Sequence, residues 1–190
     1  KVITDVNVVI DETTLGYQPF GEVEFVVDVT VVGKKYQISG DQVSKDDIRV
    51  VAVTEDVNRA GTYSLKLKAE AIDDNSVFTI DSVSRETISV YFDKVKTIDR
   101  AIEPELITNG SPIAAEGFTY KEVNLSESLV TITGPALEID RIDKVVAKCN
   151  INEPLVSNLS ENVQIVPVDK NGSSDFKYLE YNHRDVVLSI

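Results

Sequence analysis

The chain has 190 residues, of which 42% are hydrophobic, so it can bury a core and wholesale disorder is excluded. Its 32 acidic and 19 basic residues give a formal net charge of −13. This balance argues against nucleic acid as a partner, because phosphate backbones are bound through clusters of Lys and Arg. The sequence also has no run of about 18 apolar residues, so none of it is expected to cross a membrane as a helix.

Alternation of apolar and polar residues predicts most of the strands, since successive side chains of a strand point to opposite faces. The alternating stretches, in chain order, are 22–31, 63–70, 87–92, 130–133, 144–151 and 163–168, followed by an apolar run at 186–190. Val, Ile and Thr are abundant, and their branched Cβ suits a pleated sheet. The sequence therefore predicts a mainly β fold.

Helical spacing is confined to two short segments, so we expect helices to be accessories to the sheets. In 44–48, Ser44 can cap a helical turn and Asp47 stands at the capping-box position. In 134–142, Pro135 suits the first helical position. The residues of this second segment that would face inward are Ala136, Ile139 and Ile142.

Three segments of the first half recur in the second half, which indicates an internal repeat. Residues 29–33 parallel 130–134, residues 48–52 parallel 143–147, and residues 84–90 parallel 182–188. We predict two homologous β modules, 1–94 and 95–190. The junction at 93–96 lacks the Gly and Ser of a flexible linker, which predicts a stiff, elongated tandem.

These segments resemble the YbbR-like repeats. In that family a V-x-V-x-G-P strand is followed by a short helix and an I-x-x-V-x-A strand, and residues 130–135 and 142–147 match this order. A D-x-x-G hairpin matches 169–172, and a closing V-x-V strand matches 88–90 and 186–188. The likeness spans both modules and is weaker in the first, where Lys34 replaces the Pro that follows the Gly.

The resemblance implies two small, mainly β modules with crossed hairpins and one short helix each, without catalytic, cofactor-binding or metal-binding residues. It also implies a bacterial protein, typically of Gram-positives, whose N-terminal membrane helix holds the repeats outside the cytoplasm. The best-understood members regulate a membrane diadenylate cyclase, which makes cyclic di-AMP. Because the chain starts at Lys1 and contains no Met, we expect a fragment that lacks its upstream anchor, located on the extracellular side of the cell membrane.

Two residue types that carry catalysis occur once each. His183, the only imidazole, lies in a polar stretch before the last predicted strand, and a structural position is favoured over a catalytic base or metal ligand. Cys149 shares a strand face with Val145, Ala147 and Ile151. We therefore expect a buried thiol that reacts slowly, because reactive thiols need exposure and nearby positive charge.

Residues 169–175 have the composition of a calcium loop but not its spacing. Oxygen-bearing side chains stand at alternate positions, namely Asp169, Asn171, Ser173 and Asp175. An EF-type loop has its Gly at position six, whereas Gly172 stands at position four, so a hairpin turn is favoured. The acidic pairs 46–47 and 73–74 are expected to be solvated.

The aromatic residues near strand ends have two interpretations: they cover the ends of the modules, or they form a protein-contact patch. They are Tyr17, Phe20, Tyr36, Phe118, Tyr120, Phe176, Tyr178 and Tyr181. The sequence thus predicts a non-catalytic extracytoplasmic module that regulates a membrane partner, a diadenylate cyclase by resemblance. The alternative is a structural spacer or an adhesin-type β repeat of the cell surface, and an enzyme is disfavoured.

Overall fold

A computed structural model describes residues 1–190. The chain forms two compact units, Lys1–Lys94 (unit 1) and Val95–Ile190 (unit 2). Each unit is built on one seven-stranded sheet. None of the helices is long and apolar enough to span a lipid bilayer.

Unit 1 contains seven strands, one short α-helix and one 3-10 turn. Its elements are β1 Val2–Ile10, β2 Gln18–Phe20, β3 Phe25–Gly33, α1 Lys35–Ile38, a 3-10 helix at Lys45–Asp47, β4 Ile48–Ala52, β5 Gly61–Ala71, β6 Phe78–Val83 and β7 Thr87–Asp93. The strand order across the sheet is β2-β7-β5-β4-β1-β3-β6. Neighbours are antiparallel except β1 and β4, which are parallel.

Unit 2 has the same plan. Its elements are β8 Val95–Thr108, β9 Asn124–Leu125, β10 Leu129–Pro135, α2 Ala136–Arg141, β11 Lys144–Ile151, β12 Ser160–Val168, β13 Glu180–Tyr181 and β14 Asp185–Ser189. The strand order is β13-β10-β8-β11-β12-β14-β9, which is the order of unit 1 read from the other edge. The parallel pair is again the first and fourth strands, β8 and β11.

The segments that parallel each other in sequence fall on counterpart strands. Residues 29–33 and 130–134 lie in β3 and β10, and each of these strands is followed by its unit's α-helix. The other two parallels place β4 with β11, and β7 with β14. The two units therefore agree strand for strand in order and direction.

Both sheets curl because single strands change neighbours along their length. In β8, residues 95–101 pair with β10, whereas residues 102–108 pair with β11. In β5, residues 61–66 pair with β7 and residues 67–71 pair with β4. Each sheet thus bends around its own apolar interior. The prediction of a mainly β fold is confirmed.

Each unit has its own core, and the alternating residues supply most of it. In unit 1 the residues with no exposed surface include Val29, Val31, Val50 and Phe92. In unit 2 they include Ile132, Val145, Ala147 and Leu188. Val23 departs from the prediction, because it is 39% exposed and β3 begins only at Phe25.

The predicted helical segments form with small differences. Ser44 and Asp47 make a capping box: the Ser44 hydroxyl accepts the N–H of Asp46 at 3.2 Å, and the Asp47 carboxylate accepts the N–H of Ser44 at 2.8 Å. Pro135 is the residue before the helix rather than its first residue, since its ψ of 134° is extended and α2 starts at Ala136. Helix α1 supplies the one short helix that the resemblance implies for the first module, although no helical spacing in the sequence marks residues 35–38.

Two long strands, β1 and β8, were also not predicted from the sequence. β1 carries a bulge between Ile3 and Val6, where Asp5 has a φ of 57°, so its alternation is broken. β8 contains Pro104, which usually argues against a strand. Residues 102–108 of β8 pair only with β11, so the opposite edge of this half of the strand is unpaired. The missing N–H of Pro104 therefore removes no hydrogen bond to a second neighbouring strand.

Candidate functional site

The Cys149 thiol lies on the buried face of β11, as predicted. Cys149 is 1% exposed, and its Sγ donates to a carboxylate oxygen of Glu161 at 3.4 Å. Burial raises the pKa of this thiol to about 11, and the hydrogen bond to Glu161 and its negative charge act in the same direction. The thiol is therefore protonated at neutral pH, and its neighbour disfavours the thiolate.

His183 stands just before β14, with its ring partly buried. Its Nε2 atom is buried and has no hydrogen-bond partner. The backbone N–H of His183 donates to the Asn182 side-chain oxygen at 3.1 Å, and the same oxygen accepts the N–H of Thr131 at 3.0 Å. The Asn182 side chain thus connects this segment to β10 by a hydrogen bond, and His183 lies between Asn182 and the last strand.

The segment that begins at Asp169 forms a turn. The Asp169 carboxylate accepts the N–H groups of Asn171 and Ser173, each at 2.9 Å, and Gly172 adopts a φ of 78°. The pKa of Asp169 is lowered chiefly by the Ser173 hydrogen bond, with smaller contributions from Asn171 and the Arg141 guanidinium. The chain's own donors occupy this carboxylate, as a turn requires. No cluster of His, Cys, Asp and Glu side chains suits a metal ion.

Helix α2 holds the loop that follows this turn. The Glu138 carboxylate accepts the N–H of Lys177 at 3.1 Å and the N–H of Tyr178 at 3.2 Å. The Arg141 guanidinium lies 5.0 Å from the centre of the Phe176 ring and 3.6 Å from the Asp169 carboxylate. Two charged side chains of one short helix therefore position the approach to β13.

A concavity of unit 2 lies between two loops, residues 109–123 and 152–159. Its volume is about 660 Å³, within the range of about 300–1,000 Å³ usual for binding sites. The loops are joined by a parallel bridge between Ala114 and Leu155. Leu155 donates to the Ile113 carbonyl at 2.8 Å and accepts from Ala115 at 3.0 Å. We call this concavity the loop groove.

The loop groove brings together two of the aromatics that the sequence leaves with two interpretations, covering a module end or forming a contact patch. Phe118 and Tyr120 line it and are 52% and 47% exposed. Its other walls are mixed: apolar side chains come from Leu155, Leu159 and Ile190, and polar ones from Lys121, Glu122, Asn124, Ser157, Asn158, Ser160 and Ser189. Half-exposed aromatics beside hydrogen-bonding groups are typical of surfaces that bind other proteins.

The remaining predicted aromatics do not join this groove. Phe20 packs against Tyr91 in unit 1, with ring centres 6.4 Å apart. Tyr36 is exposed on α1. Tyr181 lies under the guanidinium of Arg184 at 4.7 Å, and burial raises its pKa. The sequence could not separate these positions, because aromatic composition does not show which loops come together.

Residues 152–159 were not predicted to belong to a functional site, because isolated apolar residues in a loop show no periodic pattern. One signal was available. The connection from the first to the second strand has seven residues in unit 1, 11–17, but fifteen in unit 2, 109–123. Irregular connections of this length are uncommon in compact domains and are usually either functional or linker segments, so the enlarged loop marks this end of unit 2 as a candidate.

The fold and the groove together define a class of protein: a tandem of two like β modules that presents a loop-lined surface. The family model described as YbbR-like protein matches residues 106–182, which lie within unit 2 and include the groove loops and α2. The resemblance to YbbR-like repeats seen in the motifs is therefore confirmed for residues 106–182 of the second unit.

The chain is also similar to a solved structure, that of a YbbR-like protein from Streptococcus pneumoniae TIGR4. It is 23% identical, the match covers 100% of this chain and 92% of that one, and the TM-score is 0.48. No curated protein matches the chain.

Proposed function

We propose that this chain is the extracytoplasmic part of a membrane-anchored bacterial YbbR-like protein, and that it binds a membrane diadenylate cyclase without catalysing a reaction itself. The observation that carries the proposal is the YbbR-like match over residues 106–182. Unit 1 is proposed to be a second repeat of the same type, because its seven strands follow the same order.

The chemistry of the candidate reactive groups supports a binding role. The Cys149 thiol is held protonated beside a carboxylate, and the Asp169 carboxylate organises a turn. By contrast, the loop groove offers apolar walls and hydrogen-bonding groups. A surface of this kind regulates a partner by binding one of its conformational states more tightly than the other.

The formal charge of −13 fits this arrangement. An acidic module is repelled by anionic lipid headgroups, so it is not expected to lie flat on the membrane surface. Its surface would then remain available to a protein partner.

A direct test measures binding to the cyclase. The chain, joined to a transmembrane helix, is produced in membranes together with the tagged cyclase, which is then purified in mild detergent. We expect the chain to be retained with the cyclase. The control carries an unrelated acidic β module of equal length on the same helix. If the control is retained equally, the helix accounts for the association and the proposal fails.

The same pair of proteins separates regulation from a spacer role. A spacer needs only length and stiffness, so the unrelated module would replace this chain without changing cyclic di-AMP production. Regulation through a specific surface requires that the replacement abolish the effect. Equal cyclic di-AMP levels with both modules would favour the spacer.

A further inference from the structure

The same tripeptide, Asn-Gly-Ser, occurs twice in unit 2 in different surroundings. One copy, residues 109–111, directly follows β8, and the other, residues 171–173, lies in the turn after β12. Every residue of both copies is exposed, and the φ of the glycine is similar, 84° at Gly110 and 78° at Gly172. The two copies therefore differ mainly in what the fold does to them.

An asparagine that precedes a glycine can lose its side-chain amide without an enzyme. The backbone nitrogen of the glycine attacks the side-chain carbonyl carbon, and the new N–C bond closes a succinimide ring. The bond from that carbon to the amide nitrogen breaks, and this nitrogen leaves as ammonia with the proton of the backbone N–H. Water then opens the ring at either carbonyl and gives aspartate or isoaspartate. Glycine favours the reaction because it has no Cβ beside the attacking nitrogen.

The turn after β12 holds the attacking nitrogen of its copy. The Gly172 N–H donates to the Asp169 carbonyl at 2.9 Å. The Asp169 carboxylate accepts the N–H groups of Asn171 and Ser173, and the Asp169 N–H donates to the Ser173 carbonyl at 2.9 Å. Ring closure turns the Gly172 nitrogen towards the Asn171 side chain, so the turn must open first and these hydrogen bonds must break.

The copy after β8 has no such restraint. Neither the Asn109 side chain nor the Gly110 N–H makes a hydrogen bond. The pairing of β8 with β11 ends at Thr108. The loop is next tied to its neighbour at Ile113, whose carbonyl accepts the N–H of Leu155 at 2.8 Å. The Gly110 nitrogen can therefore reach the Asn109 side chain without the breaking of any hydrogen bond of its own.

We propose that Asn109 is a site of spontaneous deamidation in the folded protein, and that the turn built on Asp169 protects Asn171 from the same reaction. The inference goes beyond the proposed function and does not depend on it. Each event replaces a neutral amide by a carboxylate, which adds one negative charge to a chain of net charge −13. The isoaspartate product also lengthens the main chain by one methylene at the start of the loop 109–123.

Mass spectrometry of the aged protein tests the proposal. The full chain is kept at slightly alkaline pH in water enriched in ¹⁸O and is then digested with trypsin in ordinary water, so that only deamidation during ageing introduces ¹⁸O. The two asparagines fall on separate peptides, 101–121 and 171–177. We expect Asn109 to react at least about tenfold faster than Asn171, because the turn must open before Asn171 reacts. Equal rates, or a faster reaction at Asn171, would overturn the proposal.

The same experiment in urea separates the fold from the sequence. Without the turn, the two identical tripeptides should react at similar rates, and the larger acceleration should be at Asn171. A difference of unchanged size in urea would place its cause in the flanking residues and would contradict protection by the fold.

A variant of the turn tests the protection directly. Asp169→Ala removes the acceptor of two N–H groups and should raise the rate at Asn171 while leaving that at Asn109 unchanged. Asp175→Ala, which removes an exposed carboxylate of the same loop, is the matched control and should change neither rate. Circular dichroism checks that both variants are folded. An unchanged rate at Asn171 in folded Asp169→Ala would contradict the protective role of this side chain.

Anion-exchange chromatography of the intact chain gives a second measurement of the site. The aged protein should develop a more acidic form, and Asn109→Gln should prevent it, because glutamine would have to close a larger ring. Asn171→Gln should leave the acidic form unchanged. An acidic form of equal amount in Asn109→Gln would show that another amide is its source and would overturn the proposal.

Discussion

A side chain on Gly134 would collide with the main chain of Tyr178: a Cβ built on this glycine would lie 3.0 Å from the Tyr178 carbonyl oxygen. Gly33, its counterpart in unit 1, has the same relationship with Val77, at 2.8 Å. Each glycine lies at the end of the third strand of its unit, where the segment leading into the sixth strand passes closely. Both units thus have glycine at this position because there is no room for a Cβ beside the neighbouring carbonyl oxygen.

We expect Gly134→Ala to destabilise the protein, because neither the strand nor the carbonyl can move without disturbing the sheet. Overpacking of this kind costs about 1–3 kcal/mol. Urea denaturation followed by circular dichroism measures it, and Gly33→Ala should cost a similar amount. An unchanged denaturation midpoint for both variants would show that the close approach is not required.

A second prediction concerns the reactivity of Cys149. With its pKa raised from 9.0 to about 11, the fraction of thiolate at about pH 8 is about a hundredfold lower in the folded protein than in the unfolded chain. Alkylation measured with and without urea should differ by at least this factor. Equal rates would contradict the burial of the thiol.

The same shift makes stability depend on pH in the alkaline range. Because the folded-state pKa lies above the unfolded one, the contribution of Cys149 is complete below about pH 9 and is lost as the pH rises towards about 11. Replacement by Ala should remove this part of the pH dependence. The check is a series of urea denaturations of both proteins across that range.

A third prediction concerns Asp169, whose pKa lies below 3.8. A lowered carboxyl pKa contributes stability above the unfolded value, and this contribution is lost as the pH falls through the folded value. We expect the ¹³C titration of this carboxyl to lie below that of the unfolded chain. Because the Ser173 N–H is the main cause, Arg141→Gln should raise it only slightly; a return to 3.8 in this variant would give Arg141 the larger role.

The tether between α2 and the approach to β13 gives a fourth prediction. Glu138→Ala removes the acceptor of the Lys177 and Tyr178 N–H groups and should cost about 1 kcal/mol. Amide hydrogen exchange at 176–178 should become faster. Gln37→Ala, at the counterpart position of unit 1, is the matched control and should leave that exchange unchanged.

The sequence predicts the strands in which one face is buried and the other exposed. It does not predict the strands in which a bulge or a proline breaks or obscures this alternation. Val145, Ala147 and Cys149 were correctly assigned to the buried face of one strand, since a half-buried strand imposes a period of two. The bulge at Asp5 breaks that period in β1, and Pro104 obscures β8. Both strands become clear only once their neighbours are known.

The candidate site was less predictable for the same reason. Phe118 and Tyr120 were identified only as aromatics that either cover a module end or form a contact patch. Leu155 and Leu159 reach the groove through loop pairing that local sequence does not encode.

Cyclic di-AMP production in membranes that contain the cyclase tests the central claim most directly, with the full chain anchored beside the enzyme or left out. We expect the anchored chain to change the rate of synthesis, and Phe118→Ala combined with Tyr120→Ala to reduce that change. An identical rate with and without the chain, in membranes where both proteins are present, would contradict a regulatory role.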